Sequence, residues 1–161
     1  MNKNIDYLKE RFKDCFDVKF RELSTILGNG TVVFIDDLCN SQWMMEYMIL
    51  PLRGFGELKG EEGISTPKDL IDKVLDMNMT GIAKDVDDAI FHVLSGDVIL
   101  VLNDYEEIIY SEVKNMVRRG IGIPDTESVL KGPREGFNEL IVDNVALIRR
   151  RLKNPDLKFE A

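Results

Sequence analysis

Two cysteines, one histidine and one tryptophan are all that the 161 residues contain of these types. Cys15 and Cys39 are neither in C-x-x-C spacing nor close to the histidine, so a zinc or redox motif is excluded. One pair is also too few for a disulfide framework in a domain of this size, and a reducing compartment is expected. Cys39 follows an apolar stretch and is expected to be buried filler. Long hydrophobic runs are missing as well. The longest, Val98 to Leu102, is strand-sized and far below the roughly 18 residues of a membrane span. Met1 to Glu10 is studded with Lys, Asp and Glu and has no apolar h-region, so it does not read as a secretory signal. A membrane link would therefore have to come from sequence beyond these residues.

Positive charge is in short supply. Lys and Arg number 21 against 29 Asp and Glu, for a formal charge of −8. That balance excludes nucleic acid as a main partner, because phosphate neutralisation needs a basic face. The deficit is uneven: residues 129–161 carry net +2 and leave −10 for the rest. Arg149-Arg150-Arg151 would complement the dipole at a helix C-terminus and aid solubility; attraction to an acidic partner or anionic headgroups is the alternative. Gly54 to Gly63 is glycine-rich but lacks Gly-Lys-Ser/Thr, so it is a flexible surface loop and not a phosphate-binding loop.

What is present is 44% apolar and 31% charged residues, an ordinary balance for one domain with a real core. Ile5, Leu8 and Phe12 fall at helical spacing. A strand from Val18 is expected to turn at Gly28-Asn29-Gly30 into Thr31–Ile35, nearly all apolar and therefore buried on both faces. Ser41 would cap a helix over Gln42–Leu50 that Pro51 stops. Its Trp43, Met44, Tyr47, Met48 and Leu50 suit a core or an oligomer contact better than a cofactor site. Ser65-Thr66-Pro67 starts another helix, and Asp85 opens a third with Val86, Ala89, Ile90, Val93 and Leu94 on one stripe. Val98–Leu102 and Ile108–Tyr110 form a second hairpin. Phe137, Leu140, Ile141, Val145, Ile148 and Leu152 mark the clearest helix, ended by Asn154-Pro155. The order α-ββ-α-αα-ββ-α predicts an α/β fold, a mixed sheet of about four strands in two hairpins flanked by helices, and not a parallel Rossmann sheet. The expected organisation is one subdomain over 1–161: a body at 1–118, an extended connection at 119–136 and a C-terminal helix at 137–153.

No catalytic or metal-binding set emerges, no cofactor is implied, and ligand-binding residues are not identifiable. His92 has no second His or Cys to share a metal and no serine nucleophile, so a structural or merely exposed role is expected. The pairs Asp36-Asp37, Asp87-Asp88 and Glu106-Glu107 would need to converge to hold an ion. On turns and helix starts such pairs are capping or solvated. Arg134 and Glu135 stand out more, because a Gly132-Pro133 turn aims them at the entrance of the C-terminal helix. Glu135 suits that positive end, whereas Arg134 needs a carboxylate, with Glu127 or Asp125 the natural bidentate partner. Gly136 leaves room for close backbone approach before Phe137. The element is either a latch fixing the connection onto the helix or a joint docking a neighbouring subdomain or subunit.

The string Pro124-Asp125-Thr126-Glu127, then Val129 through Gly132-Pro133-Arg134-Glu135-Gly136-Phe137, then a helix closed by three arginines, resembles the A-subunit family of bacterial spore germinant receptors, the GerA family. Val32–Leu38 with Pro51-Leu52, and Leu94-Ser95-Gly96-Asp97, extend the resemblance upstream, with Asp37 where that family usually has glycine. The resemblance implies the first soluble subdomain of a longer membrane protein in the spore inner membrane, non-enzymatic and taking part in nutrient germinant sensing. It further implies B and C subunits as partners, other A subunits in a homo-oligomer, and a small-molecule germinant such as an amino acid, sugar or nucleoside. A germinant-binding module in its own right, or a domain of a paralogous sporulation membrane protein, are the alternatives.

Overall fold

The computed structural model describes residues 2–54, 63–75, 77, 79–114, 137 and 139–160. Its frame follows from strands that are apolar on both sides. β2 (Gly28–Ile35) is buried from Gly30 onward and β4 (Val98–Leu102) is buried throughout, so both must lie inside a sheet covered on both faces. Among the described residues five strands run in the order β1-β2-β4-β5-β3, with β1 at Val18–Thr25, β3 at Thr80–Ile82 and β5 at Ile108–Ser111. Both expected hairpins, β1–β2 and β4–β5, are present, and β2 joins them by pairing with β4. All four ladders are antiparallel. β3 is the strand that sequence reading misses; three residues with a central glycine are too short to show alternation.

Helices cover each face. Below one face α1 (Lys3–Arg11) and α5 (Val86–Leu94) pack Ile5, Leu8, Ala89, Ile90 and Val93 against Val33, Ile35, Ile99 and Val101. On the other, Met44, Met48, Ile49, Leu52, Leu70 and Val74 meet Val32, Phe34, Leu100 and Ile109. Each such fully buried aliphatic side chain contributes about 1.5–3 kcal/mol. Cys39 belongs to this second layer, and burial pushes its thiol up to about 12, as expected of filler.

Local signals act with some shifts. The first hairpin turns at Ile26-Leu27, not at Gly28-Asn29-Gly30; Gly28 instead opens β2 at φ +108°, a backbone few other residues adopt. Asn40, not Ser41, caps α2 (Ser41–Met44) by accepting from the Trp43 N–H. Pro51 does not stop this helix. The turn widens into a π-helical segment, Met45–Ile49, in which the Leu50 N–H bonds Met45 C=O, and α3 (Leu50–Leu52) carries Pro51 in its first turn. Met44 and Met48 enter the core, while Trp43, Tyr47 and Leu50 face outward. α4 (Pro67–Lys73) has a full capping box between Thr66 and Asp69, and Asp85 caps α5 through the Asp88 N–H. α6 (Ile141–Arg151) begins beyond Phe137 and Leu140, both of which are exposed.

Candidate functional site

The largest departure from expectation is in the arginine triplet. Arg149 is not a solvated helix-end charge: its side chain is 0% exposed, as is that of its partner Asp17. Asp17 stands just before β1, whose first residue, Val18, packs into the core, and α6 lays Arg149 over it. The guanidinium donates from Nε to Asp17 Oδ2 at 2.8 Å and from Nη2 to Oδ1 at 3.2 Å, a side-on bidentate pair. Nη1 donates to the Asn154 carbonyl at 3.2 Å, Nη2 lies 3.5 Å from Cys15 Sγ, and the Phe159 ring stacks 4.7 Å away. Burial alone would lower the guanidinium's affinity for its proton; the hydrogen bonds and charge of Asp17 outweigh it, so Arg149 is held more firmly charged than in water.

The same arginine thereby ties down the segment after α6. Phe159 forms a parallel bridge with Cys15, and the Phe16 N–H donates to the Phe159 carbonyl at 3.0 Å. Lys158 Nζ donates to the Arg11 carbonyl at 2.6 Å, and an Arg11–Asp156 ion pair closes the outer side. Sequence reading missed this clamp because it placed the helix's apolar stripe on Phe137, Leu140, Ile141, Val145, Ile148 and Leu152. The buried residues of α6 are Val145, Ala146, Leu147 and Arg149. The legible signal was Ala146 and Arg149 at i, i+3, opposite an Asp flanked by Phe16 and Val18.

A second buried carboxylate sits at the foot of β4. Asp97, 5% exposed, accepts from His92 Nδ1 at 2.7 Å, and Lys114 Nζ lies 3.3 Å from its other oxygen, which has no aligned donor among the described residues. His92 stacks on Tyr110 with ring centroids 3.6 Å apart. Gly81, opposite Tyr110 in register, leaves the ring room to lie there, since a Cβ would come within 2.8 Å of its hydroxyl. Lys114 also bonds Glu112 at 2.7 Å. Burial pulls its ammonium down, but Glu112 and Asp97 outweigh that and hold it above its ordinary range. His92 is thus structural, tying α5 to β5 at the root of the connection that follows Lys114.

Glu127, Pro133, Arg134, Glu135 and Gly136, the motif residues singled out in the sequence, lie outside the described residues, as does Asp125. Phe137 is 71% exposed and precedes α6. The acidic pairs do not converge; among the described residues no group of three or more His, Cys, Asp or Glu could hold a metal ion. Asp88 instead accepts from the Lys84 N–H at 3.0 Å. A depression of about 1030 Å³ lies between the starts of α1 and α5 and the β4–β5 turn. It is lined by both charges, including Lys3, Lys84, Asp85, Asp104 and Glu106. Among the described residues no helix is long and apolar enough to cross a membrane.

Several known proteins are similar to this chain. Spore germination protein GerLA of Bacillus cereus is 28% identical over 148 residues, covering 90% of this chain and 29% of that protein. Spore germination protein KA of Bacillus subtilis is 26% identical across 98% of the chain and 29% of its own length. Stage V sporulation protein AF of Bacillus subtilis is 28% identical, with 98% and 32% covered. The chain therefore spans about a third of the length of the curated relatives it matches. Its fold matches the crystal structure of the N-terminal domain of the A subunit of the Bacillus megaterium spore germinant receptor GerK3. The TM-score is 0.70 at 18% identity, over 98% of this chain and 56% of that one. The family model described as the Bacillus/Clostridium GerA spore germination protein matches residues 6–161, and the chain belongs to the GerA family.

Proposed function

We propose that this chain is the first soluble subdomain of a germinant receptor A subunit, and that it passes a nutrient-triggered signal onward mechanically without catalysing a reaction. Family membership across residues 6–161 supports the receptor setting. The observation that carries the mechanical reading is the buried Arg149–Asp17 clamp, which fixes where the chain leaves α6 relative to the sheet. A side-on bidentate pair in a dry site resists small rotations that a surface ion pair would permit, so movement of the segment after α6 and movement of the sheet become one movement. B and C subunits, and further A subunits, are the partners this reading implies, with the parent protein in the spore inner membrane.

The test uses spores carrying Arg149→Lys in the full-length protein. Lysine keeps the charge but cannot make the fork. Normal receptor abundance in spore membranes with slowed nutrient germination, read as loss of optical density, is the expected result. Normal germination at normal abundance would overturn the reading.

A second reading, that this region holds the germinant itself, is favoured by the depression between α1, α5 and the β4–β5 turn, where both charge signs face one space. Thermal stabilisation by a germinating nutrient, abolished by Lys84→Ala, would support it.

A further inference from the structure

Three chain segments meet at one end of the sheet: the turn after β2, the Ser95-Gly96-Asp97 turn before β4, and the exit of β5. Cys39 and Lys114 form an antiparallel bridge, and the Asn40 N–H donates to the Val113 carbonyl at 2.6 Å. Asp97 is the buried carboxylate at this meeting, and its two oxygens are served unequally. Oδ2 accepts from His92 Nδ1 at 2.7 Å, whereas Oδ1 has no aligned donor among the described residues. A buried carboxylate oxygen without a donor destabilises the fold. The cation able to serve it is already alongside, with Lys114 Nζ 3.3 Å from Oδ1. Glu112 draws that ammonium the other way, accepting from it at 2.7 Å. An ammonium serves two carboxylates fully only when both lie along its N–H directions, and here Glu112 alone is aligned. The two contacts also tie different things. Glu112–Lys114 is local to the end of β5, whereas Lys114–Asp97 crosses to the start of β4 and, through His92, to α5.

We propose that Glu112 is the release of a catch whose bolt is Lys114 and whose seat is Asp97 Oδ1. While Glu112 carries its charge, the ammonium is drawn aside and the chain leaving β5 is fastened to its own strand. With Glu112 neutralised, a shift of about half an ångström completes the Lys114–Asp97 bond and fastens the exit to α5. The chemistry that would operate the catch is a cationic side chain presented to Glu112, whose side chain is 31% exposed and can receive it. That such a contact serves signalling rests on the mechanical reading proposed above; the catch itself does not.

Hydrogen exchange at the Asn40 amide of the full-length protein tests this, because that N–H is released whenever the exit of β5 lifts away. Glu112→Gln keeps the size of the side chain and removes its charge. Exchange at Asn40 should slow about fivefold, although an ion pair has been deleted. Glu107→Gln, the same charge change at an exposed site of the β4–β5 turn, should leave it unmoved. Lys114→Met should speed exchange and make Glu112→Gln silent in its background. Unchanged or faster exchange in Glu112→Gln would overturn the proposal, since a static surface pair gives that outcome. So would equal slowing in Glu107→Gln, which would assign the effect to net charge, or slowing that persists beside Lys114→Met. If Lys114→Met does not fold, the two glutamine variants decide by themselves. Germination enters none of these rates, so the catch and the signalling role fail separately.

Discussion

Two buried aspartates, Asp17 and Asp97, solve one electrostatic problem in different ways. Each stands just before a strand, β1 at the edge of the sheet or β4 at its centre, and each is removed from water. Asp17 is held by a permanently charged guanidinium that is itself fully buried and meets both carboxylate oxygens. Asp97 is divided between the imidazole of His92, 19% exposed, and the ammonium of Lys114, 38% exposed. A dry bidentate pair is rigid and indifferent to pH near neutrality; a pair shared with half-exposed partners can loosen one partner at a time. The first arrangement ties the end of the chain to the sheet, and the second ties α5 to the root of the connection after Lys114. The molecule thus carries one fixed anchor and one compliant anchor.

The contrast breaks most visibly at Arg149. Arg149→Ala leaves a buried carboxylate uncompensated and is expected to cost about 3–5 kcal/mol in urea unfolding. Replacing both partners with apolar residues, as in Asp17→Leu with Arg149→Met, should recover much of that loss; a double variant as unstable as the single would show that the clamp acts through packing alone. At the compliant anchor the effect should be smaller. His92→Ala removes one of Asp97's two supports and leaves Lys114, for an expected loss of about 1–3 kcal/mol. A loss equal to that at Arg149 would erase the distinction between the two.

Asp37 offers a gain. It sits at φ +60°, and burial together with Asp36 raises its carboxyl above the usual range. A raised acid penalises the folded state while ionised, and the penalty fades as pH falls through the folded value. Asp37→Gly should therefore stabilise by about 1 kcal/mol at neutral pH, with the gain shrinking in acid to what the backbone relief alone provides. A gain unchanged by pH would leave backbone strain as the whole cause. The smallest effect belongs to the outer pair holding the same segment as Arg149. Arg11→Ala should leave the melting temperature unchanged in moderate salt, because exposed pairs contribute little. A shift comparable to that of His92→Ala would mean that the outer contact bears part of the clamp.

Much of the fold was legible because its signals are local. Thr66-Pro67 and Asp85 supply caps within a few residues of the helices they start, and the unbroken apolar runs of β2 and β4 announce burial on both faces. The failures share a cause. Gly28 was legible as a positive-φ residue but not as the start of a strand, since the turn position depends on which residues pair across the hairpin. Pro51 was legible as a breaker, but the π-helical turn before it absorbs the missing N–H. The candidate site was less legible than the fold. The motif from Pro124 to Phe137 drew attention by its composition, and apart from Phe137 its residues lie outside the described ones. Arg149 read as a surface charge.

The sequence by itself determined the α/β class, the two hairpins, the caps at Thr66 and Asp85 and the family, all of which rest on neighbours in the chain or on periodicity. Only the tertiary structure decided that β2 pairs with β4 and closes two hairpins into one sheet, that β3 is a strand, and that Arg149 is buried. Asp17 and Arg149 are 132 residues apart in the chain. A charged side chain becomes a core residue only when a partner from so far away cancels its desolvation, and no local pattern encodes that meeting.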